Sequence, residues 1–193
     1  MGKIQKQDIK TAAELVSAGA TAADLPQDTQ VYVSALGLNK TLSQAITDGD
    51  FAAGNPVKVE YYTATAQSIA SSSTTQVVVF NTMVVDSHSA FNSSTGVFTA
   101  PYTKTYLITS TISFSANASG RRGIFLGKNG SYVQNGSIVP NAGGGAGTNI
   151  NSSFLVSLTS GDTIDIRAYQ ESGSTLTLQA SSVDNWISIV SIG

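Results

Sequence analysis

The side chains that could carry chemistry are few, and one of them is a single histidine. His88 lies in the stretch DSHSAF, two residues after Asp86, and a Ser-His-Asp arrangement uses such groups to activate a hydroxyl. Neighbours that are two apart on a strand share a face without forming a triad, and no Gly-x-Ser-x-Gly motif is present. We therefore expect His88 to be a structural or surface residue, and we expect no catalytic residue.

Acidic side chains could form a carboxylate pair or a metal site. A glycosidase needs two carboxylates at a set separation, but nothing in this sequence marks such a pair. Asp162 follows Gly161 in a turn pattern, and Asp184 precedes an asparagine in another. We expect no metal site and no cofactor. The acids behind this expectation are Asp86, Asp162, Asp165, Glu171 and Asp184.

A second group of side chains suits binding rather than catalysis. Aromatic and amide groups recognise sugars by stacking and by hydrogen bonding, respectively. The Gly-rich stretch NAGGGAGTN (141–149) precedes no helix signal and no Lys-Ser or Lys-Thr, so we expect a loop rather than a phosphate cradle. The candidate ligand-binding loop residues are Arg121, Arg122, Tyr132, Asn135 and Asn141.

Composition excludes several classes of function. The net charge is −2, which gives no footprint for nucleic acid or for an anionic membrane. The chain has no cysteine, which excludes disulfides and thiol chemistry. The beginning MGKIQKQDIK lacks the apolar core of a signal peptide, and no apolar stretch is long enough to span a membrane. We expect a protein that is made and folded in a cytoplasm.

The elements that must position these residues fall into two segments. Residues 1–60 carry twelve of the charged side chains and the rest of the chain carries ten. Glycine and proline interrupt the periodicity within GDFAAGNP (49–56). We expect an N-terminal docking segment at 1–56 and a second domain at 57–193.

The N-terminal segment has short elements that need a packing partner. Apolar residues between Ile9 and Val16 share a helical face, and TLSQAITDG has the pattern of a second short helix. A strand is expected around Val31–Val33. Helices this short are marginal alone, so the segment must dock on something. The candidate docking residues are Tyr32, Leu38, Leu42 and Ile46.

From Val57 onward the sequence predicts only strands. Tyr106, Ile108, Ile112 and Phe114 alternate with mostly polar residues in TYLITSTISFSA, which is typical of a half-buried strand. The stretches INSSFLVSL and NWISIVSIG continue such patterns. KNGS contains Asn-Gly, a strong hairpin signal, and SGD (160–162) predicts another turn. Short strands with turns at this density predict a sandwich or jelly roll.

A set of mainly aromatic residues in this segment has a characteristic spacing: Phe80, Asp86, Phe91, Phe98, Lys104, Tyr106 and Ile108. The pattern resembles the signature of the C1q domain, which has an aromatic residue, Asn or Asp, two further aromatics, and then Gly-x-Tyr-x-Phe. The resemblance covers roughly residues 57–193. The chain departs from it at Lys104, where the family usually has glycine, and at Ile108 and Ser110, where aromatics are usual.

This resemblance implies a mainly β, ten-stranded C1q/TNF-like jelly roll that assembles as a tight trimer. It places Phe80, Phe91, Phe98 and Tyr106 in the sandwich core, and Gly96 at a turn that needs a positive φ. Lys104 suggests that its own position needs no glycine conformation, or that the local loop has been rebuilt. Some relatives bind calcium at the trimer axis through loop carboxylates, and that alternative stays open.

The stretch DTQVYVSALGLNKTLSQAITDGDF is similar to short modules at the start of bacteriophage tail-fibre and other virion appendage proteins. This resemblance implies a non-enzymatic homotrimer in the virion, assembled in the host cytoplasm. Its segment 1–56 would dock on capsid, tail or fibre-attachment proteins. Its knob would bind a host cell-surface glycan or protein, with no nucleic acid and no membrane as partners. Mounting on the tail or on the head is left open. The alternatives are a secreted or cell-surface bacterial adhesin and a polysaccharide depolymerase.

Overall fold

The structure is a computed structural model that describes residues 30–33, 38–41, 56–140 and 146–192. The chain divides into two compact units, Met1–Pro56 and Val57–Gly193. No α-helix occurs within the four described ranges.

The described part of the first unit is one antiparallel hairpin. It consists of β1 (Gln30–Val33) and β2 (Leu38–Thr41), which pair in a register that places Tyr32 opposite Asn39. The strand around Val31 was predicted, whereas β2 was not. The two predicted helices, together with the docking candidates Leu42 and Ile46, lie outside the described residues.

Two antiparallel sheets form the second unit, and the first has seven strands. In chain order these strands are β3 (Lys58–Thr63), β4 (Gln67–Ile69), β6 (Thr82–Asp86), β9 (Lys104–Phe114), β12 (Thr148–Leu158), β14 (Leu176–Leu178) and β15 (Ser181–Ile192). Their spatial order is β4-β14-β9-β15-β3-β6, and β12 pairs with β9.

The second sheet has six strands. In chain order these are β5 (Ser72–Val77), β7 (Phe91–Asn92), β8 (Val97–Thr99), β10 (Arg121–Lys128), β11 (Ser131–Pro140) and β13 (Thr163–Gln170). Their spatial order is β11-β10-β13-β8-β7, and β5 pairs with β13. Because spatial neighbours are often distant in sequence, the chain crosses repeatedly between the two sheets, as in a jelly roll. The predicted mainly β sandwich is confirmed.

The strand count differs from the ten that the resemblance implied. The described part of the second unit has thirteen strands, six in one sheet and seven in the other. Four of them, β4, β7, β8 and β14, contain only two or three residues. The difference therefore comes from short pairings at the sheet margins.

The core lies between the sheets and follows the alternation of the strands. On β9, the side chains of Tyr106, Ile108, Ile112 and Phe114 are fully buried, as their spacing predicted. Ser110 completes this face, and its hydroxyl donates to the Trp186 carbonyl at 2.8 Å. A satisfied hydroxyl can replace an apolar side chain there without leaving an unpaired buried group.

The six-stranded sheet supplies the opposite half of the core. Ile124 and Leu126 of β10 are fully buried, and so are Ile166 and Ala168 of β13. They belong to the same apolar cluster as the buried residues of β9. One continuous core therefore holds both sheets together, mainly through the hydrophobic effect.

The turns predicted at Asn129-Gly130 and at residues 160–162 lie at one end of the sandwich, where they are bonded to each other, whereas Asp184 lies in β15 and not in the turn predicted for it. Asn129 and Gly130 have φ values of 51° and 77° and join β10 to β11. The Asn129 amide donates to Asp162 at 2.9 Å, and its oxygen accepts from the Thr163 amide at 2.8 Å. The bonds that Asp162 accepts from the Asn129 amide, from Lys128 and from the Thr159 amide lower the pKa of its carboxyl to about 2. The carboxylate thus joins two turns that are distant in sequence.

Candidate binding surface

The aromatic signature residues lie in the core and are therefore unavailable to a ligand. Phe80, Phe98 and Tyr106 are fully buried, and Phe91 is nearly so. The Tyr106 hydroxyl donates to the Tyr102 carbonyl at 2.8 Å. Burial raises the pKa of Tyr106, which is an additional reason for this phenol to stay neutral.

Asp86 and Gly96 shape the backbone next to these aromatics. The Asp86 carboxylate accepts from the Ala90 and Phe91 amides, each at 2.9 Å, which explains why an acceptor stands at this position. Gly96 has a φ of 73°, and a Cβ there would collide with the Val78 carbonyl. Lys104 pairs with Leu158 in a regular strand register, so no glycine conformation is required at that position.

The arrangement around His88 is not a catalytic triad. Its ring lies edge-on to Tyr102 with centroids 5.4 Å apart, and its Nδ1 lies 2.7 Å from the Ser87 hydroxyl. That hydroxyl also accepts from the Lys58 amide at 2.9 Å. Asp86 contacts the backbone amide of His88 rather than its ring. Ser87, His88 and Asp86 therefore organise a turn.

The expectation that Arg122 is an exposed loop residue is wrong. It lies in β10 with its side chain fully buried. Its guanidinium donates to the carbonyls of Ser119 at 2.8 Å, Arg121 at 3.1 Å and Asn117 at 3.2 Å. Burial lowers the pKa of Arg122. Strand alternation turns Arg122 inward and Arg121 outward, so that Arg122 holds the loop before β10 instead of meeting a ligand.

Arg121 lies on the outer face of the six-stranded sheet, in a strand rather than in a loop. Its Nε lies 2.6 Å from Glu171 Oε1, and both side chains are partly exposed. Glu171 also accepts a hydrogen bond from the Tyr169 hydroxyl. The bonds from Arg121 and Tyr169 lower the pKa of Glu171 to about 2, and the bond to Glu171 raises the pKa of Tyr169. The carboxylate is therefore ionised and cannot act as a general acid near neutral pH.

Tyr132 and Asn135 lie near each other on β11, on the same sheet. The Tyr132 side chain is 47% exposed, and its hydroxyl donates to Asn135 Oδ1. The Tyr132 ring packs edge-to-face against the Phe125 ring with their centroids 5.5 Å apart. Phe125 packs against Tyr169 in the same way, with the centroids 5.9 Å apart. Such contacts fix aromatic rings in place.

These contacts form a continuous band across the outer face of β11, β10 and β13. We call it the outer stripe and define it as Tyr132, Asn135, Phe125, Tyr169, Glu171 and Arg121. Beside the outer stripe, Gly127 of β10 makes room for the side chains of Arg167 and Asp165, because a Cβ at position 127 would collide with both. Those two side chains form an ion pair next to the stripe.

Sequence reasoning found only part of this surface. It identified Arg121, Tyr132 and Asn135 but missed Phe125, Tyr169 and Glu171. The alternation in RRGIFLGK places Arg121 and Phe125 on one face, and this signal could have identified Phe125. Asn141, the last candidate, lies outside the described residues.

The outer face of the seven-stranded sheet has a different character. Along β9 and β12, hydroxyls pair across the strands, as in Thr105 with Ser157 and Thr109 with Ser153, each at 3.2 Å. Between these pairs stand Leu107 and Leu155, which are opposite each other and 39% and 62% exposed. We call the outer faces of β9 and β12 the ladder face. From Thr105 to Phe114 and throughout β12 it has no charged residue.

Two absences concern only the ranges that the structure describes. No helix there is long and apolar enough to cross a membrane. Within the same ranges, no group of three or more histidine, aspartate or glutamate side chains is placed to hold a metal ion.

Two antiparallel sheets around a buried aromatic signature define a C1q/TNF-like jelly roll. The model of the C1q domain matches residues 61–184, which is more than half of the chain. The chain therefore belongs to the C1q domain family. Domains of this kind are often trimeric and involved in binding or adhesion.

Solved structures share the fold at low sequence identity. Murine APRIL at pH 8.5 is 13% identical with a TM-score of 0.52, and the match covers 72% of this chain and all of that one. The globular domain of zebrafish complement 1qA protein is 16% identical with a TM-score of 0.53, covering 71% and 98%. The Eiger TNF from S. frugiperda is 10% identical with a TM-score of 0.53, covering 72% and 93%. No curated protein matches the chain. At such identities the solved structures support the fold alone.

Proposed function

We propose that this chain is a non-enzymatic structural and adhesion protein of a bacteriophage particle. In this proposal three copies form a C1q-like knob that projects from the virion and binds the host surface. Residues 1–56 dock on other virion proteins. The single structural observation that carries the trimeric part of the proposal is the uncharged ladder face, which exposes Leu107 and Leu155 to solvent in the isolated chain.

The ladder face supports association with further copies of the same chain. On the neighbouring strand β15, Trp186 and Val190 pair with Thr111 and Leu107 and are half-exposed on the same side. Apolar side chains surrounded by uncharged hydroxyls can be buried without desolvating an ion. Three equivalent subunits would cover this surface in a closed ring, as expected for cyclic symmetry.

Adhesion follows from the repetition of the outer stripe on each subunit. Three weak sites that bind a repeated surface ligand together gain avidity over a single site. The phage context is supported by the similarity of residues 28–51 to virion appendage modules.

Analysis of purified particles tests this function. Phage particles from a host culture that produces this chain would be banded by density and analysed by quantitative mass spectrometry. We expect the chain in the particle fraction, at a copy number that is a multiple of three. Its absence from particles, together with its presence in the culture medium or on the bacterial envelope, would contradict the virion role.

A further inference from the structure

We propose that the outer stripe binds an uncharged oligosaccharide of several sugar units, laid along the strands of the six-stranded sheet. This inference rests on the proposed adhesive function and names the ligand class for it. Three observations carry it: the balance of charge, the uncovered aromatic face and the length of the stripe.

The charges at the stripe are already balanced. The Arg121 guanidinium is bonded to Glu171 through both Nε, at 2.6 Å, and Nη2, at 3.3 Å. Arg167 and Asp165 form a second ion pair beside it. A charged polymer would have to compete with these internal partners for each charge. An uncharged ligand can instead accept and donate hydrogen bonds at their remaining positions.

Tyr132 supplies an apolar platform with a polar group at its edge. An edge-to-face contact with Phe125 leaves at least one face of the Tyr132 ring free of Phe125. The Asn135 oxygen accepts from the Tyr132 hydroxyl, which turns the Asn135 amide nitrogen away from that bond and leaves it available as a donor. A sugar ring has an apolar face of C–H groups and a rim of hydroxyls, so it matches a platform of this kind.

The stripe is longer than one sugar. Tyr132 lies opposite Gly127 on β10, and Arg121 is at the other end of the same strand. Six residues of strand span about 20 Å. A ligand that reaches from Tyr132 to the Arg121–Glu171 pair must therefore be an oligosaccharide, and both ends of the stripe should contribute to its affinity.

An array of immobilised oligosaccharides tests this inference with the full chain. The array would present uncharged hexose oligosaccharides, from monosaccharide to hexasaccharide, beside sialylated and uronic-acid-containing ones of the same length. We expect at least one uncharged series to be bound more tightly than its charged counterparts. We also expect binding to strengthen with length until the ligand spans the stripe.

Three variants locate the site. Tyr132→Ala should lower the affinity for every oligosaccharide that binds, whatever its length, by about tenfold or more. Val133→Ala, at the next residue of β11 and 49% exposed, is the matched control and should change binding by less than about twofold. Glu171→Gln should weaken binding of the long oligosaccharides but leave a disaccharide unaffected, because the short ligand does not reach it.

Three results would overturn the inference: no binding of any uncharged series, tighter binding of charged glycans, or equal losses for Tyr132→Ala and Val133→Ala. Circular dichroism and the solution mass of each variant show that folding and assembly are intact. If glycan binding fails while the chain is still present in particles, only the ligand class is wrong. If the chain is absent from particles, the proposed function itself is wrong.

Discussion

The two outer faces of the sandwich enclose the same core but present opposite chemistry. The ladder face of β9 and β12 carries hydroxyl pairs around Leu107 and Leu155 and has no charge between Thr105 and Phe114. The outer stripe of β11, β10 and β13 carries three aromatic rings and the Arg121–Glu171 pair. A face without charge is inexpensive to desolvate, whereas a face with fixed ion pairs favours a wet and reversible contact.

In the proposals made above, the two faces serve separate tasks: the ladder face serves assembly and the outer stripe serves recognition. Since the buried residues of each strand alternate with its outward residues, either outer face can change without altering the core. A substitution on one face should then leave the task of the other face intact, and a substitution in the core should damage both.

The largest effect is expected from a charge on the ladder face. Leu155→Arg places a guanidinium at a 62% exposed position of the proposed subunit contact, where it would be buried without a partner. We expect the variant to be monomeric at micromolar concentration and to keep its β fold. Light scattering coupled to size exclusion measures the mass, and circular dichroism measures the fold.

Val133→Arg is the matched control for that substitution. Val133 is 49% exposed on β11, outside the ladder face, so the same charge should leave the assembly unchanged. If both variants dissociate to the same extent, the ladder face has no special part in assembly.

The second effect concerns the core that both faces share. Phe98 is fully buried between the sheets, and its ring packs against that of Tyr106 with the ring centroids 5.4 Å apart. Phe98→Ala should reduce the free energy of unfolding by about 3 to 5 kcal/mol, because it removes apolar burial and leaves a cavity. Urea denaturation followed by tryptophan fluorescence measures the loss, and a loss below about 1 kcal/mol would show that the site collapses or is not core.

The smallest effect is the pH dependence of stability that Glu171 of the outer stripe contributes. Glu171 has a folded pKa of about 2 against an ordinary value of 4.5, owing mainly to the bond from Arg121. Its stabilising contribution is therefore complete above pH 4.5 and is lost as the pH falls from 4.5 towards 2. The difference in Tm between the natural chain and Glu171→Gln should be constant near neutral pH and vanish over that acidic window.

Arg121→Gln provides the internal check, because it removes the partner that lowers the pKa. Its Tm difference from the natural chain should disappear over the same acidic window. A difference that persists at pH 2 in either variant would show that the effect does not arise from this ion pair.

Much of the sandwich could be predicted, because strand alternation and turn residues act locally. Residues close together in sequence were enough to predict the apolar face of β9 and the Asn129–Gly130 turn. The prediction that Arg122 is a ligand-binding loop residue was wrong because strand alternation in β10 turns Arg121 outward and Arg122 inward. The prediction of the outer stripe was incomplete because the stripe depends on the strand register that brings Phe125 of β10 beside Tyr132 of β11 and Tyr169 of β13. Such register is not visible in a single sequence.

The solution mass of the full chain tests the central claim most directly. Sedimentation equilibrium at several protein concentrations would measure it without a matrix or a label. Assembly through the ladder face predicts a species of three times the 19.9 kDa chain mass, unchanged by salt because the contact lacks charge. A single species of 19.9 kDa at all concentrations would contradict the trimeric knob.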